Sequence, residues 1–87
     1  MQEEMKAKYK KELGLLIKNL RIKQNKSISL ISDEIGMTKS MWADLEKGVK
    51  DPQLNTLMRI SEALNTKTSL ILKDLENKLG GNFSLIE

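Results

Sequence analysis

The sequence predicts an all-α domain of five helices, in which the second and third form a helix-turn-helix. Over most of the chain, apolar residues recur at three- and four-residue spacing, which is the period of a helix with one buried face. Between Ser27 and Gly48, two short apolar runs are separated by Gly36, which can adopt the left-handed backbone of a helix end. These two helices must therefore cross sharply, with the small Ser32 at their closest approach.

The composition excludes several classes of protein. The 87 residues contain no cysteine and no histidine, so disulfides, thiolate metal sites and the usual general base are ruled out. No nucleophile lies beside a base and no glycine loop suits a phosphate, so we expect no enzyme activity, no cofactor and no metal. No apolar run approaches the roughly 20 residues that cross a bilayer. Because the polar N-terminus lacks a secretory signal pattern, we expect a cytoplasmic protein without membrane contact.

The net charge of +3 is distributed unevenly along the chain. Residues 1–27 contain eight Lys or Arg and three acids, whereas residues 28–87 contain seven Lys or Arg and nine acids. A basic region of this kind is compatible with a nucleic-acid partner, although the charge alone does not establish one.

Residues 2–25 are predicted to form the first helix. Gly14 interrupts its apolar stripe at a cost of about 1 kcal/mol relative to alanine. We therefore expect a basic helical extension at residues 1–12, frayed where it meets the helix-turn-helix domain at residues 13–66. The lysines of this helix form either a solvated surface or a flank that touches phosphates: Lys6, Lys8, Lys10, Lys11, Lys18 and Lys23.

Side-chain oxygens mark the starts of the next two helices. Ser27 is a predicted N-cap for a helix from Ile28 to about residue 35, and Thr38 for a helix from residue 39 to about Lys47. The fourth helix follows Pro52 and is expected to be the most buried, because its apolar residues cover more than one face: Leu54, Leu57, Met58, Ile60, Ala63 and Leu64.

The segment 67–87 is predicted to contain a fifth helix capped by Thr68, although residues 68–72 also fit a short strand. The pair of glycines at 80 and 81 ends this element, and the tail that follows is either loose or packs Phe83 back onto the domain. The apolar residues of this segment either close the core of the monomer or form a dimer interface: Leu70, Ile71, Leu72, Leu75, Leu79 and Phe83.

Residues 17 to about 64 resemble the phage Cro and repressor type of helix-turn-helix, the Xre-like family. The matching pieces are IKNLR at 17–21, Ser27, the IGM turn at 35–37, LEKG at 45–48, Pro52 and LNTLMRISEAL at 54–64. The resemblance implies a lambda-repressor-like fold. It also implies sequence-specific binding of double-stranded DNA by a transcriptional regulator, repressor or activator, that forms a homodimer on a palindromic operator.

By this resemblance the chain makes two kinds of DNA contact. The residues expected to read bases are Thr38, Lys39, Ser40, Ala43 and Asp44. Those expected to meet phosphates are Lys26, Ser27, Ile28, Lys47 and Lys50. The family usually has Gln where this chain has Ile28, so the contact expected there comes from the free N–H groups of the helix start. Asp44 either accepts from cytosine N4 or remains a salt-bridged or solvent-facing acid.

The resemblance also implies structural roles. Arg21 and Glu46 are expected to form an ion pair that locks the third helix to the first. Trp42 is expected in the core, and Met37 and Met58 are expected to fill gaps in it.

A second possible function is that of an antitoxin, a helix-turn-helix protein that also carries a surface that blocks a partner toxin. A strand at residues 68–72 or the N-terminal extension would supply the surface for that partner. A basic first helix lying on a membrane is a weaker alternative, because its apolar stripe is narrow.

Overall fold

Five α-helices make up the computed structural model, which describes residues 2–86: α1 (Gln2–Lys23), α2 (Ile28–Glu34), α3 (Lys39–Glu46), α4 (Leu54–Ala63) and α5 (Thr68–Leu79). Met1 and Glu87, which belong to the predicted segments 1–12 and 67–87, lie outside the described residues. Within residues 2–86 there is no strand, so the helix at residues 68–72 is confirmed over the strand. In that same range, no helix is long and apolar enough to span a membrane.

The first helix runs through Gly14 without a break. A Cβ atom at Gly14 would lie 2.5 Å from the carbonyl oxygen of Leu45 and 2.6 Å from that of Glu46. Gly14 therefore does not separate a frayed extension from the domain, as its low helix propensity suggested. It allows the backbone of α1 to touch the C-terminal end of α3.

The starts of α2 and α3 lie where the sequence predicts them. Ser27 Oγ accepts a hydrogen bond from the backbone N–H of Leu30 at 3.0 Å, and Thr38 Oγ1 accepts one from Met41 at 3.1 Å. Gly36 has φ of +69° in the turn between the helices. Each hydroxyl satisfies one of the four N–H groups that a helix start leaves without a partner.

The core lies where α1 packs against α3 on one side and α5 on the other. Trp42 is fully buried within it, as the sequence predicts. Met37 packs partly against the core from the turn. The buried apolar residues come from all five helices and their ends: Leu13, Ile17, Ile31, Ile35, Trp42, Leu45, Leu57, Ile60, Ala63, Leu64, Ile71 and Leu75.

The fourth helix is less buried than the sequence suggests. Leu57 and Ile60 are in the core, but Leu54 is 64% exposed and Met58 is 54% exposed. The prediction that Met58 fills a gap in the core is therefore wrong. The rest of the domain covers only one side of α4, so apolar residues on its other side remain at the surface.

The N-cap of the fifth helix is not the residue that the sequence predicts. Its N-cap residue is Lys67, which makes no side-chain cap hydrogen bond. Thr68 lies inside the first turn, and its hydroxyl donates to Ser61 Oγ at 3.0 Å. Ser61 is buried and donates in turn to the carbonyl of Leu57 at 2.8 Å. Thr68 therefore ties α5 to α4 instead of capping α5.

The apolar residues of the C-terminal segment divide into two groups. Ile71 is 2% exposed and Leu75 is 5% exposed, and both belong to the core of the monomer. They are therefore not available for the dimer interface suggested for them. Leu79 packs partly against the core, and Phe83 is half-buried. Only Leu70 and Leu72 of that set are exposed large apolar residues.

Candidate nucleic-acid interface

One face of α3 points away from the core. Trp42 and Leu45 of this helix are buried on the opposite side. Because side chains three and four residues apart share a helical face, four residues form the outward face of α3: Ser40, Ala43, Asp44 and Lys47. The first and last of these are exposed and the middle two are half-buried.

The beginning of α3 adds two exposed residues to this face. The hydroxyl oxygen of Thr38 accepts the cap hydrogen bond, so its O–H hydrogen and its methyl group are what it offers to a partner. Lys39 is exposed, and among the described residues its ammonium has no ion-pair partner. Of the five residues predicted to read bases, Thr38, Lys39 and Ser40 are thus exposed and the other two are half-buried.

A depression of about 280 Å³ borders the outward face of α3 on the side of α1 and α2. It is lined by Lys18, Arg21, Ile28, Ala43, Glu46 and Lys47. Lys18 and Lys47 therefore line the same depression, which the sequence analysis did not predict. The signal was present, since Lys18 lies four residues after Gly14 and three before Arg21, and both of these contact α3.

A second depression, of about 200 Å³, borders α3 on its other side. Its lining residues are Met37, Met41, Leu45, Lys50, Asp51, Pro52 and Thr56. The outward face of α3 therefore lies between two depressions, with Lys18 and Lys47 at one and Lys50 at the other. With lysines at both depressions, the protein can bind an anion on each side of the outward face of α3.

A buried polar network fixes the orientation of α3. Arg21 Nε donates to Glu46 Oε2 at 2.5 Å and Arg21 Nη2 donates to Glu46 Oε1 at 3.2 Å, which makes the pair bidentate. Arg21 Nη1 also donates to the carbonyl of Lys26 at 2.8 Å. The side chains of the pair are 12% and 7% exposed. The ion pair expected from the sequence is therefore present, and it joins α1, the loop after it and α3.

The same carboxylate has a third donor that the sequence analysis did not identify. Trp42 Nε1 donates to Glu46 Oε2 at 2.6 Å. The two residues are four apart on α3, so their side chains lie on one face and the contact is readable in principle. The network satisfies the indole N–H of a fully buried tryptophan.

Lys26 contacts two acceptors of the protein itself. Its Nζ lies 3.0 Å from Glu34 Oε1 and donates to the carbonyl of Ala63, the last residue of α4, at 2.8 Å. The ammonium of Lys26, whose side chain is 18% exposed, thus ties α2 to the C-terminal end of α4. Ser27 is exposed at the start of α2, and Ile28 is half-buried at the rim of the first depression.

The loop after α3 is fastened to α1. A Cβ atom at Gly48, which has φ of +76°, would lie 2.8 Å from Lys11 Cα. The hydroxyl of Tyr9 donates to Asp51 Oδ1. Burial, and then this carboxylate, raise the pKa of Tyr9 above its ordinary value of 10.0. The loop that carries Lys50 is therefore held at two points along the N-terminal half of α1.

Solved structures with the same arrangement of helices include two regulators. The clp gene regulator ClgR from C. glutamicum superposes with a TM-score of 0.76 at 15% identity, over 83% of this chain and 94% of that chain. An HTH_3 family transcriptional regulator from Vibrio cholerae superposes with a TM-score of 0.72 at 25% identity, over 79% of this chain. This chain spans only 39% of the length of the Vibrio cholerae structure.

In comparisons by sequence, the chain matches no curated protein but does match a family model. The family model HTH_3, described as helix-turn-helix, matches residues 17–71, which include all of α2, α3 and α4. Because this match covers more than half of the sequence, the chain belongs to the Xre-like helix-turn-helix family.

Proposed function

We propose that the protein is a transcriptional regulator that binds double-stranded DNA in a sequence-specific manner, with α3 in the major groove. The observation that carries this proposal is the outward face of α3, bordered by lysines on both sides. The major groove admits an α-helix, and the helix then lies between the two phosphate backbones. Membership of the family and the likeness to the Vibrio cholerae regulator support the same function.

The roles of individual residues follow from their chemistry. Lys39 donates to guanine O6 and N7, and Ser40 serves as donor or acceptor to a base edge. The methyl groups of Thr38 and Ala43 pack on thymine methyl groups. Asp44 accepts from cytosine N4, which rejects bases without that donor.

The phosphate contacts set affinity more than sequence preference. Lys47 and Lys50 neutralise phosphates on the two sides of α3. Ser27 and the backbone N–H of Ile28 contact a phosphate at the start of α2. Lys26 is not part of this set, because its ammonium is already bound to Glu34 and to the carbonyl of Ala63.

A second copy of the chain completes the proposed reader. One recognition helix contacts too few base pairs for strong specificity, so we propose a homodimer whose recognition helices lie about 34–36 Å apart. With Ile71 and Leu75 in the core, the apolar residues left for the interface are those exposed on α4 and α5: Leu54, Met58, Leu70 and Leu72.

The test is selection of bound duplexes from a random pool. The unchanged chain should enrich a site with two inverted half-sites. Lys39→Ala should change the preferred base at one position of each half-site, since a bidentate base contact is worth about 1–3 kcal/mol of discrimination. Lys50→Ala should keep the preference and lower the slope of log K against log salt by about 0.9 for each protomer bound.

A matched control is Lys73→Ala, which removes an exposed lysine on α5. It should leave both the preference and the salt dependence unchanged. Failure of the unchanged chain to enrich any duplex would overturn the proposed function. An unchanged preference in Lys39→Ala would overturn the assignment of α3 as the reading helix.

A further inference from the structure

The N-terminal half of α1 lies outside the family match, which begins at residue 17. We propose that one edge of α1, defined by Lys11 and Lys18 and called here the basic edge, binds the DNA backbone beyond the base pairs that α3 reads. This inference rests on the proposed function. The partner is double-stranded DNA, and the chemistry is phosphate neutralisation by two free ammonium groups.

The two lysines share one side of α1 and are available to a partner. They are seven residues apart, so they lie on one helical face about 10 Å from each other along the axis. Both are exposed. Between residues 2 and 86, the ion pairs are Arg21–Glu46 and Lys26–Glu34, so neither lysine is engaged in one. Their charges are therefore not neutralised within the protein.

The basic edge is continuous with the outward face of α3. Lys18 lines the same depression as Lys47 and Ala43. Two turns earlier, the backbone of Lys11 touches Gly48, the residue that follows Lys47. The lysines of α1 and α3 consequently occupy one side of the molecule, and a duplex that meets α3 passes along α1.

Backbone contacts hold this edge at a fixed distance from α3. At Gly14 and at Gly48 no side chain separates α1 from α3 or from the loop after it. The Tyr9 hydroxyl binds Asp51 in that loop. Lys8, three residues before Lys11, donates through Nζ to the carbonyl of Leu79 at 3.4 Å. Because the backbone of this edge is fixed before binding, contact with the duplex requires no ordering of the main chain.

Other groups on this side of α1 limit the contact. Glu4 lies seven residues before Lys11 on the same helical face, so the favourable charge ends there. Leu15 and Ile22 are exposed near the lysines and would suit a membrane or a protein. The continuity of the lysines with Lys47 favours DNA over either of these.

The experiment measures how the affinity of the full chain depends on salt. Two duplexes are compared, one limited to the selected site and one with flanking base pairs on each side. On the longer duplex, the double variant Lys11→Gln/Lys18→Gln should lower the slope of log K against log salt by about 1.8 for each protomer bound, which corresponds to two lost phosphate contacts per protomer. The selected sequence should not change. On the short duplex, the same double variant should have no effect on the slope.

The control is Lys73→Gln/Lys78→Gln, the same change of charge on exposed positions of α5. A double variant of the basic edge with the slope of this control would overturn the inference. Failure of Lys11→Arg/Lys18→Arg to retain the original slope would also overturn it. A third contradicting result is that Lys11→Gln/Lys18→Gln loses binding to anionic lipid vesicles but keeps its binding to the flanked duplex. Absence of DNA binding by the unchanged chain would instead overturn the proposed function.

Discussion

The helix pairs α2–α3 and α4–α5 are held in place by different means. A hydroxyl caps each helix of the first pair, at Ser27 and Thr38. In the second pair, the N-cap residues Gln53 and Lys67 make no side-chain cap hydrogen bond. The helices that form the candidate DNA surface therefore have side-chain caps at their starts, whereas α4 and α5 have none and are joined by the Thr68–Ser61 hydrogen bond and by apolar residues in the core.

The attachment of each pair to α1 differs in the same way. α3 is bound through the polar network of Arg21, Glu46 and Trp42 and through a close backbone approach at Gly14. α5 contributes the buried side chains Ile71 and Leu75 to the core. A directional network sets the rotation of α3 about its own axis, and that rotation decides which residues face outward.

The largest expected effect comes from breaking this network. Arg21→Ala leaves Glu46 without its cation in a nearly buried position, so we expect a loss of about 3–5 kcal/mol in the free energy of unfolding. Chemical denaturation followed by the fluorescence of Trp42, the single tryptophan, measures this loss. Lys18→Ala, on the same helix and unpaired, is the control and should stay within about 0.5 kcal/mol. Equal stabilities of the two variants would contradict this account of α3.

A comparable loss of stability is expected in the pair α4–α5 when an apolar side chain is removed from the core. Leu75→Ala should cost about 2–5 kcal/mol, since it opens a cavity in the core. In the monomer, at high dilution, Leu70→Ala at an exposed position earlier on α5 should cost about 0.5 kcal/mol or less. Thermal unfolding of both variants measures the difference. A large loss for Leu70→Ala that disappears on dilution would show that α5 is stabilised by a partner copy.

The smallest effects sharpen the difference in capping. Thr38→Ala should destabilise the protein by about 0.5–2 kcal/mol, because it removes a cap. Lys67→Asp should stabilise it by about 0.5–1 kcal/mol, because it adds a cap and places a negative charge at a helix N-terminus. Each kcal/mol corresponds to a shift of about 4–8 °C in Tm. A fall in Tm for Lys67→Asp would show that Lys67 has a role not evident in its surroundings.

Features set within a few residues could be predicted from the sequence. The caps at Ser27 and Thr38 and the turn at Gly36 depend on local chemistry, and the structure has them where expected. The pairing of Arg21 with Glu46 was implied by resemblance to the family, and the structure contains it. The outward face of α3 also follows from helical periodicity once the helix ends are known.

Features set by distant partners could not be predicted. Gly14 resembled a weak point in α1 because its neighbours at the end of α3, Leu45 and Glu46, lie 31 and 32 residues further on. The apolar spacing of Leu54 and Met58 indicates a helix but not which of its sides the domain covers. Lys26 resembled a phosphate ligand because its acceptor, the carbonyl of Ala63, is 37 residues away. In each case the missing information was tertiary.

The most direct test of the central claim is a map of backbone amide shifts in magnetic resonance spectra as the selected duplex is added to the full chain. We expect the largest changes along the outward face of α3, at Ser40, Ala43, Asp44 and Lys47, and small changes at Leu54 and Met58 of α4. Changes confined to α4 and α5, with α3 unaffected, would contradict the assignment of α3 as the helix that enters DNA.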